Sequence, residues 1–261
     1  MPFRSMPTAR AGTPSRRRAS NVGFKRQSPR VDVAMYFQAI PMLVKHPSIL
    51  AVPLLAAVLA ILMESVIAPF ATNAVGGAGI GLFGMLVQLV YMWAFGIAII
   101  QASHIWRERR GSFDEAWEEG RSKFGGIVLA AIGFQFLVWI AGYIGAIFGS
   151  LAAILSPLLT AVAAFFLIYA IPAAAIGGMP GSLAISASVR AVRANVPGSI
   201  LLAVVFVLLW YVGPFYLQYV TGTLPSIYYS LITAVIEAIV LAYLAFPFAK
   251  QYDDVAFQGL W

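Results

Sequence analysis

The chain has 261 residues, of which 61% are hydrophobic and only 10% charged, with a formal net charge of +7. A soluble domain carries about a quarter charged residues, so this composition excludes a water-soluble globule and predicts an all-α, polytopic membrane protein. Cysteine is absent, which excludes disulfides, thiolate metal sites and thiol catalysis.

Residues 1–31 form a basic tail rich in Arg, Ser, Pro and Gly, with no acidic residue before Asp32 and no apolar run. It lacks the hydrophobic region of a secretory signal peptide. Its composition predicts disorder, and Arg16, Arg17 and Arg18 are candidate contacts to anionic lipid headgroups. At Asp32 a first surface helix begins. Tyr36, Ile40 and Leu43 repeat at helical spacing, and Pro41 is expected to interrupt it. Span 1 follows the Lys45-His46-Pro47 break, at about 49–70. A glycine-rich turn then leads to span 2, at about 79–103.

The second surface helix opens with Ser112 and Glu115, a capping box. Phe113, Trp117 and Phe124 form a stripe opposite Asp114, Glu115, Glu118 and Glu119, the pattern of a helix lying in the plane of a membrane interface. Gly125-Gly126 is expected to end it. Spans 3 and 4 follow at about 127–148 and 151–176, joined at Gly149-Ser150. The third surface helix covers 182–195, with Ile185, Val189 and Val192 as its apolar stripe. Beyond Pro197-Gly198 come span 5, about 199–220 with a kink at Gly213-Pro214, and span 6, about 226–248. The short tail 251–261 ends the chain.

The three breaks, at Lys45, Lys123 and Asn195, recur every 72 to 78 residues. They divide the domain, 32–250, into units of about 32–110, 111–178 and 179–250. Each unit reads as an interfacial amphipathic helix followed by a transmembrane hairpin, giving six transmembrane helices as three hairpins. All 17 Lys and Arg residues then fall on one side of the membrane. That side is cytoplasmic by the positive-inside rule, which places both termini in the cytoplasm. Arg109, Arg110, Arg190 and Arg193 join the candidate headgroup contacts.

Two ionisable groups fall well inside spans, Glu64 and Glu237. Six residues before Phe70, Glu64 lies about 9 Å from the span end; eleven residues after Ser226, Glu237 lies about 16 Å in, near the midplane. An acid at a helix centre costs about 2.5–3.5 kcal/mol on insertion scales and marks a candidate site. With no Lys or Arg at that depth, each is expected to be neutral, hydrogen-bonded or facing water. Gln88 and Gln135, at similar depth, are candidate partners. Gly77–Gly81 and Gly145–Gly149 match the G-x-x-x-G packing motif, but both lie beside turns, and turn formation is the expected role. His46 and His104 read as interfacial polar residues. Trp210, Tyr211, Phe215, Tyr216, Tyr219, Tyr228 and Tyr229 read as an interfacial aromatic belt.

Around Ile171-Pro172, Gly177-Gly178, Gly181 and Ala187-Ser188-Val189-Arg190 the chain resembles a group of bacterial polytopic membrane proteins. These are similar to the membrane domain attached to some glycerophosphodiester phosphodiesterases. The resemblance is carried by 170–210 and implies a helical membrane domain in a bacterial inner membrane. The acidic residue common in that group's turn is missing here, and the resemblance carries over no catalytic residue. A non-enzymatic scaffold or accessory subunit is therefore expected, with the lipid bilayer and protein partners in a membrane complex, no nucleic acid and no cofactor. The alternative is a small transporter or ion-coupled permease using Glu237.

Overall fold

The computed structural model describes residues 31–67, 74–213, 216, 219 and 226–256. Among these every regular element is helical. The order is α1 (Ala34–Lys45), a 3-10 turn (Pro47–Leu50), α2 (Ala51–Ile67), α3 (Ala74–Glu108), α4 (Phe113–Ser122) and α5 (Phe124–Ala146). Then come α6 (Ala152–Phe166), α7 (Ala170–Ala175), α8 (Gly181–Ala194), α9 (Val196–Val207), a π-helical turn (Leu208–Val212) and α10 (Ser226–Ala256).

Five stretches among the described residues are long and apolar enough to cross a membrane: Pro47–Val66, Phe83–Glu108, Phe124–Ala146, Gly149–Ala175 and Tyr228–Ala256. A sixth appears only if Gly181–Ala194 and Val196–Trp210, bent by 111°, are counted together. Of the expected fifth span, about 199–220, the described residues hold α9 and the π turn, while most of 214–225 lies outside them. The kink expected at Gly213-Pro214 falls at that edge. The N-terminal tail, with Arg16, Arg17 and Arg18, and most of the turn before α3 also lie outside them.

Local chemistry sets most helix boundaries. Asp32 Oδ1 accepts from the Ala34 amide at 3.0 Å, supporting the start of α1. Ser112 accepts from the Glu115 amide at 3.5 Å and caps α4, and Asn195 Oδ1 accepts from the Gly198 amide at 3.2 Å and caps α9. Three expected breaks moved. Pro41 lies inside a continuous α1; the carbonyl it leaves without a donor belongs to Phe37, which is uncovered, while Tyr36 and Ala39 hold the other face. Gly125 and Gly126 lie within α5, and the chain turns at Lys123 instead. The break before α9 is at Asn195, with Pro197 in the first turn of the helix, where its missing N–H has no partner to lose.

The core is concentrated at the charged ends of the helices. Ile97, Ile99, Ile100, Ile105, Tyr169, Leu244, Phe246 and Tyr252 are fully buried there. The other halves are largely uncovered, from Leu62 and Val66 on α2 to Phe136, Trp139 and Tyr143 on α5. The central bundle is α2, α3 and α10, while α6 packs mainly on α5, and α5 also meets α3, α7 and α8. With 35 residues, α3 is about 52 Å long, more than the roughly 30 Å of a hydrocarbon core. It continues alongside α10, which runs through Pro247 to Ala256 rather than ending near 248. Arg107 donates two hydrogen bonds to Asp253, at 2.9 and 2.7 Å, and Trp106 Nε1 donates to the Phe246 carbonyl at 3.0 Å. These contacts hold the extended pair together.

Span 4 contains a break that the sequence reading did not anticipate. After Phe166 the chain makes a turn at Leu167–Tyr169 before α7. Pro172 is the cause: a proline removes the donor to, and crowds, the carbonyl four residues back, and that residue is Ile168, at the centre of the turn. Ser188 of α8 fills the gap. Its hydroxyl accepts from the Tyr169 amide and donates to the Phe166 carbonyl, both at 2.9 Å.

Candidate functional site

Glu237 sits on α10, half-buried, and Tyr91 of α3 donates a hydrogen bond to its Oε2 at 2.6 Å. Trp210 of the π turn stands edge-on to Tyr91, with centroids 5.8 Å apart, and stacks on Phe206 at 6.3 Å. A phenol has the reach to cross from α3 to α10, and two aromatic rings fix its direction. The arrangement can hold a carboxyl group between two long helices and join them.

The four candidate residues separate. Glu64 lies on α2 with its side chain not covered by protein. Gln88 is exposed on α3 and makes no hydrogen bond among the described residues. Gln135 is half-buried on α5 and meets Met92, with Nε2 3.9 Å from Sδ. It lines an apolar groove with Met85, Leu89, Ile132, Phe136 and Trp139. Neither glutamine pairs with Glu237, because Tyr91 already occupies the carboxylate and α5 presents Gln135 to α3. Tyr91, the partner in fact, was passed over because an uncharged phenol carries no insertion penalty to draw attention. Its signal was a Tyr in the middle of span 2, where an interfacial role is excluded.

A second polar cluster lies at the charged end. His104 Nε2 is 3.0 Å from Glu119 Oε2, and Lys123 Nζ is 2.5 Å from Glu119 Oε1. The same ammonium donates to the Ala175 carbonyl, at the end of α7, at 2.7 Å, where a cation complements the helix dipole. The cluster thus ties α4 to α3 and α7. Arg109, at φ 57, and Arg110 follow α3 and are exposed. Arg190 and Arg193 project from the uncovered side of α8. The described arginines among the candidate headgroup contacts thus lie on that same end of the bundle.

Buried Gln101 donates to Ser48 Oγ at 2.9 Å and to the Gly111 carbonyl at 3.3 Å. Tyr169 and Ser199 share a hydrogen bond of 3.1 Å between their hydroxyls. On α1, burial pushes the Tyr36 hydroxyl well above its ordinary pKa, so it stays neutral at physiological pH. Compared with known proteins, the chain matches no family model, no curated protein and no solved structure.

Proposed function

We propose that this chain is a non-enzymatic integral membrane protein, a scaffold or accessory subunit of a membrane complex. Its spans form three hairpins in a bacterial inner membrane, with both termini cytoplasmic. The observation that carries the reading is the α5–α6 pair. No residue of α6 is fully buried, and α5 is uncovered along Leu129, Ile132, Phe136 and Ile144. The uncovered face of such a hairpin is available inside the membrane to helices of another protein, where close van der Waals packing drives association. A photo-crosslinking residue at Ile154 or Leu158 should trap a discrete protein partner in cells, identified by mass spectrometry after mild-detergent purification. A chain that elutes alone with only lipid adducts would remove this reading. Reporter fusions at Arg110 and Gly181 should give cytoplasmic signals, and one at Gly149 an extracytoplasmic one.

The second reading, an ion-coupled permease, is favoured by one observation: Glu237 at mid-depth, where transporters place coupling sites. Glutamine can still accept from Tyr91. In the scaffold reading, Glu237→Gln is nearly silent in proton flux and stability, whereas Glu237→Leu and Tyr91→Phe each cost about 0.6–2 kcal/mol, the range for interhelical hydrogen bonds in membranes. Proteoliposome flux that depends on Glu237 and is lost in Glu237→Gln would reverse the order of the two readings.

A further inference from the structure

Three short helices, α1, α4 and α8, each precede an apolar segment, but they differ in what their apolar side chains touch. On α4, Ala116 and Gly120 are buried, and Trp117 packs edge-on to Trp93 at 5.4 Å and stacks on Phe113 at 6.1 Å. No large apolar side chain of α4 is exposed. On α8 the buried face is Ala184, Ala187, Ser188, Ala191 and Val192, turned from the expected stripe because small residues allow close approach to α5 and α7. Only Leu183 among its large apolar side chains is exposed.

The first helix is different. Met35, Tyr36 and Ala39 are buried, and Tyr243 of α10 donates to the Tyr36 carbonyl at 3.1 Å. Yet Phe37, Ile40 and Val44 are 70%, 53% and 75% exposed. At 3.6 residues per turn these three fall within about 60° of one another. Gln38 and Lys45 fall about 20° apart, roughly 120° from both the apolar row and the buried face. The helix therefore has three sectors: one on the bundle, one apolar and uncovered, one polar.

We propose that α1, alone among the three, is inserted in the headgroup layer of an anionic bilayer, with Phe37, Ile40 and Val44 in the acyl boundary. Two observations choose a bilayer as the occupant. The membrane-crossing stretch begins at Pro47, two residues after Lys45, so at most about 7 Å of chain separates α1 from it. The thirty residues before Val31 carry eight Lys and Arg and no Asp or Glu, and such a basic cluster is attracted to an anionic membrane surface. An apolar row with a polar edge, next to a basic segment, is the composition of an interfacial helix.

The chain has no cysteine, so single-cysteine variants of the full protein can carry an environment-sensitive fluorophore. Phe37→Cys, Gln38→Cys, Ile40→Cys and Val44→Cys are compared in vesicles, with Glu118→Cys on α4 as a polar-face control. The vesicles are phosphatidylcholine with or without about 30% phosphatidylglycerol, plus a lipid nitroxide near the top of the acyl chain. Labels at 37, 40 and 44 should be quenched several-fold more than those at 38 and 118, and more with phosphatidylglycerol. Replacing Arg16, Arg17 and Arg18 by Gln should shrink that increment. Equal quenching at 37 and 38 would overturn the proposal, as would water-protected labels at 37 that lipid nitroxide does not reach, which means a protein covers the row. Equal quenching with and without phosphatidylglycerol would overturn its anionic component.

Discussion

Replacing Gly145 by valine should disrupt the α5–α6 hairpin. A Cβ at Gly145 would overlap the backbone of Leu155 and Ser156, and backbone cannot rotate away as a side-chain tip can. Overpacking usually costs about 1–3 kcal/mol, and this contact belongs at the upper end. Unfolding in mixed micelles, followed by tryptophan fluorescence, measures it. Two variants calibrate the result. In Gly142→Ala the new methyl group meets the Thr160 hydroxyl at 2.8 Å, a group that can turn, so the loss should be smaller. In Gly125→Ala nothing lies within 4 Å, and the better helix former should be neutral or stabilising by up to about 1 kcal/mol. Equal stability of Gly145→Val and Gly125→Ala would mean that the two helices do not approach as described. The glycine therefore serves helix contact, contrary to the turn role its position suggested. The turn belongs to Gly149, whose φ of 56° is the left-handed region that favours glycine.

The second large effect is expected at Ser188. Ser188→Ala removes a hydroxyl that bonds both the Tyr169 amide and the Phe166 carbonyl. Both backbone groups lie where the chain has left the helical ladder, and Tyr169 and Ser188 are fully buried, so water cannot replace the lost partner. Leaving a buried donor or acceptor unsatisfied costs about 1–3 kcal/mol. Hydrogen exchange at the Tyr169 amide should accelerate together with the loss of stability. Ser186→Ala, about half a turn away on the exposed side of α8, should change stability by less than about 0.5 kcal/mol. A protected Tyr169 amide in Ser188→Ala would show that the break closes without the hydroxyl.

This break was half-legible in the sequence. Pro172 was visible as a proline near a span end, and its effect on the carbonyl of Ile168 follows from covalent geometry alone. Nothing local identified Ser188 as the group that fills the gap, since it lies 16 residues further on in another helix. The same division applies to the candidate site. Glu237 was identified because a carboxyl group in an apolar run is costly wherever the run folds. Its partner could not be read, because pairing depends on which face of α3 meets α10, and Gln88 and Tyr91 are both polar and only three residues apart.

The sequence by itself determined the class of the protein: long apolar runs must satisfy their own backbone hydrogen bonds, and helices do so without neighbours. It also determined the capped start at Ser112, whose side chain acts within three residues, and the gathering of charge at one end. Only the tertiary structure decided where packing energy is spent. It placed the core at the charged ends, left α5 and α6 largely uncovered, kept α1 and α10 continuous through Pro41 and Pro247, and set α4 and α8, but not the outer row of α1, against protein. Those outcomes depend on which helix faces meet, and a periodic apolar pattern reads the same whether lipid or another helix covers it.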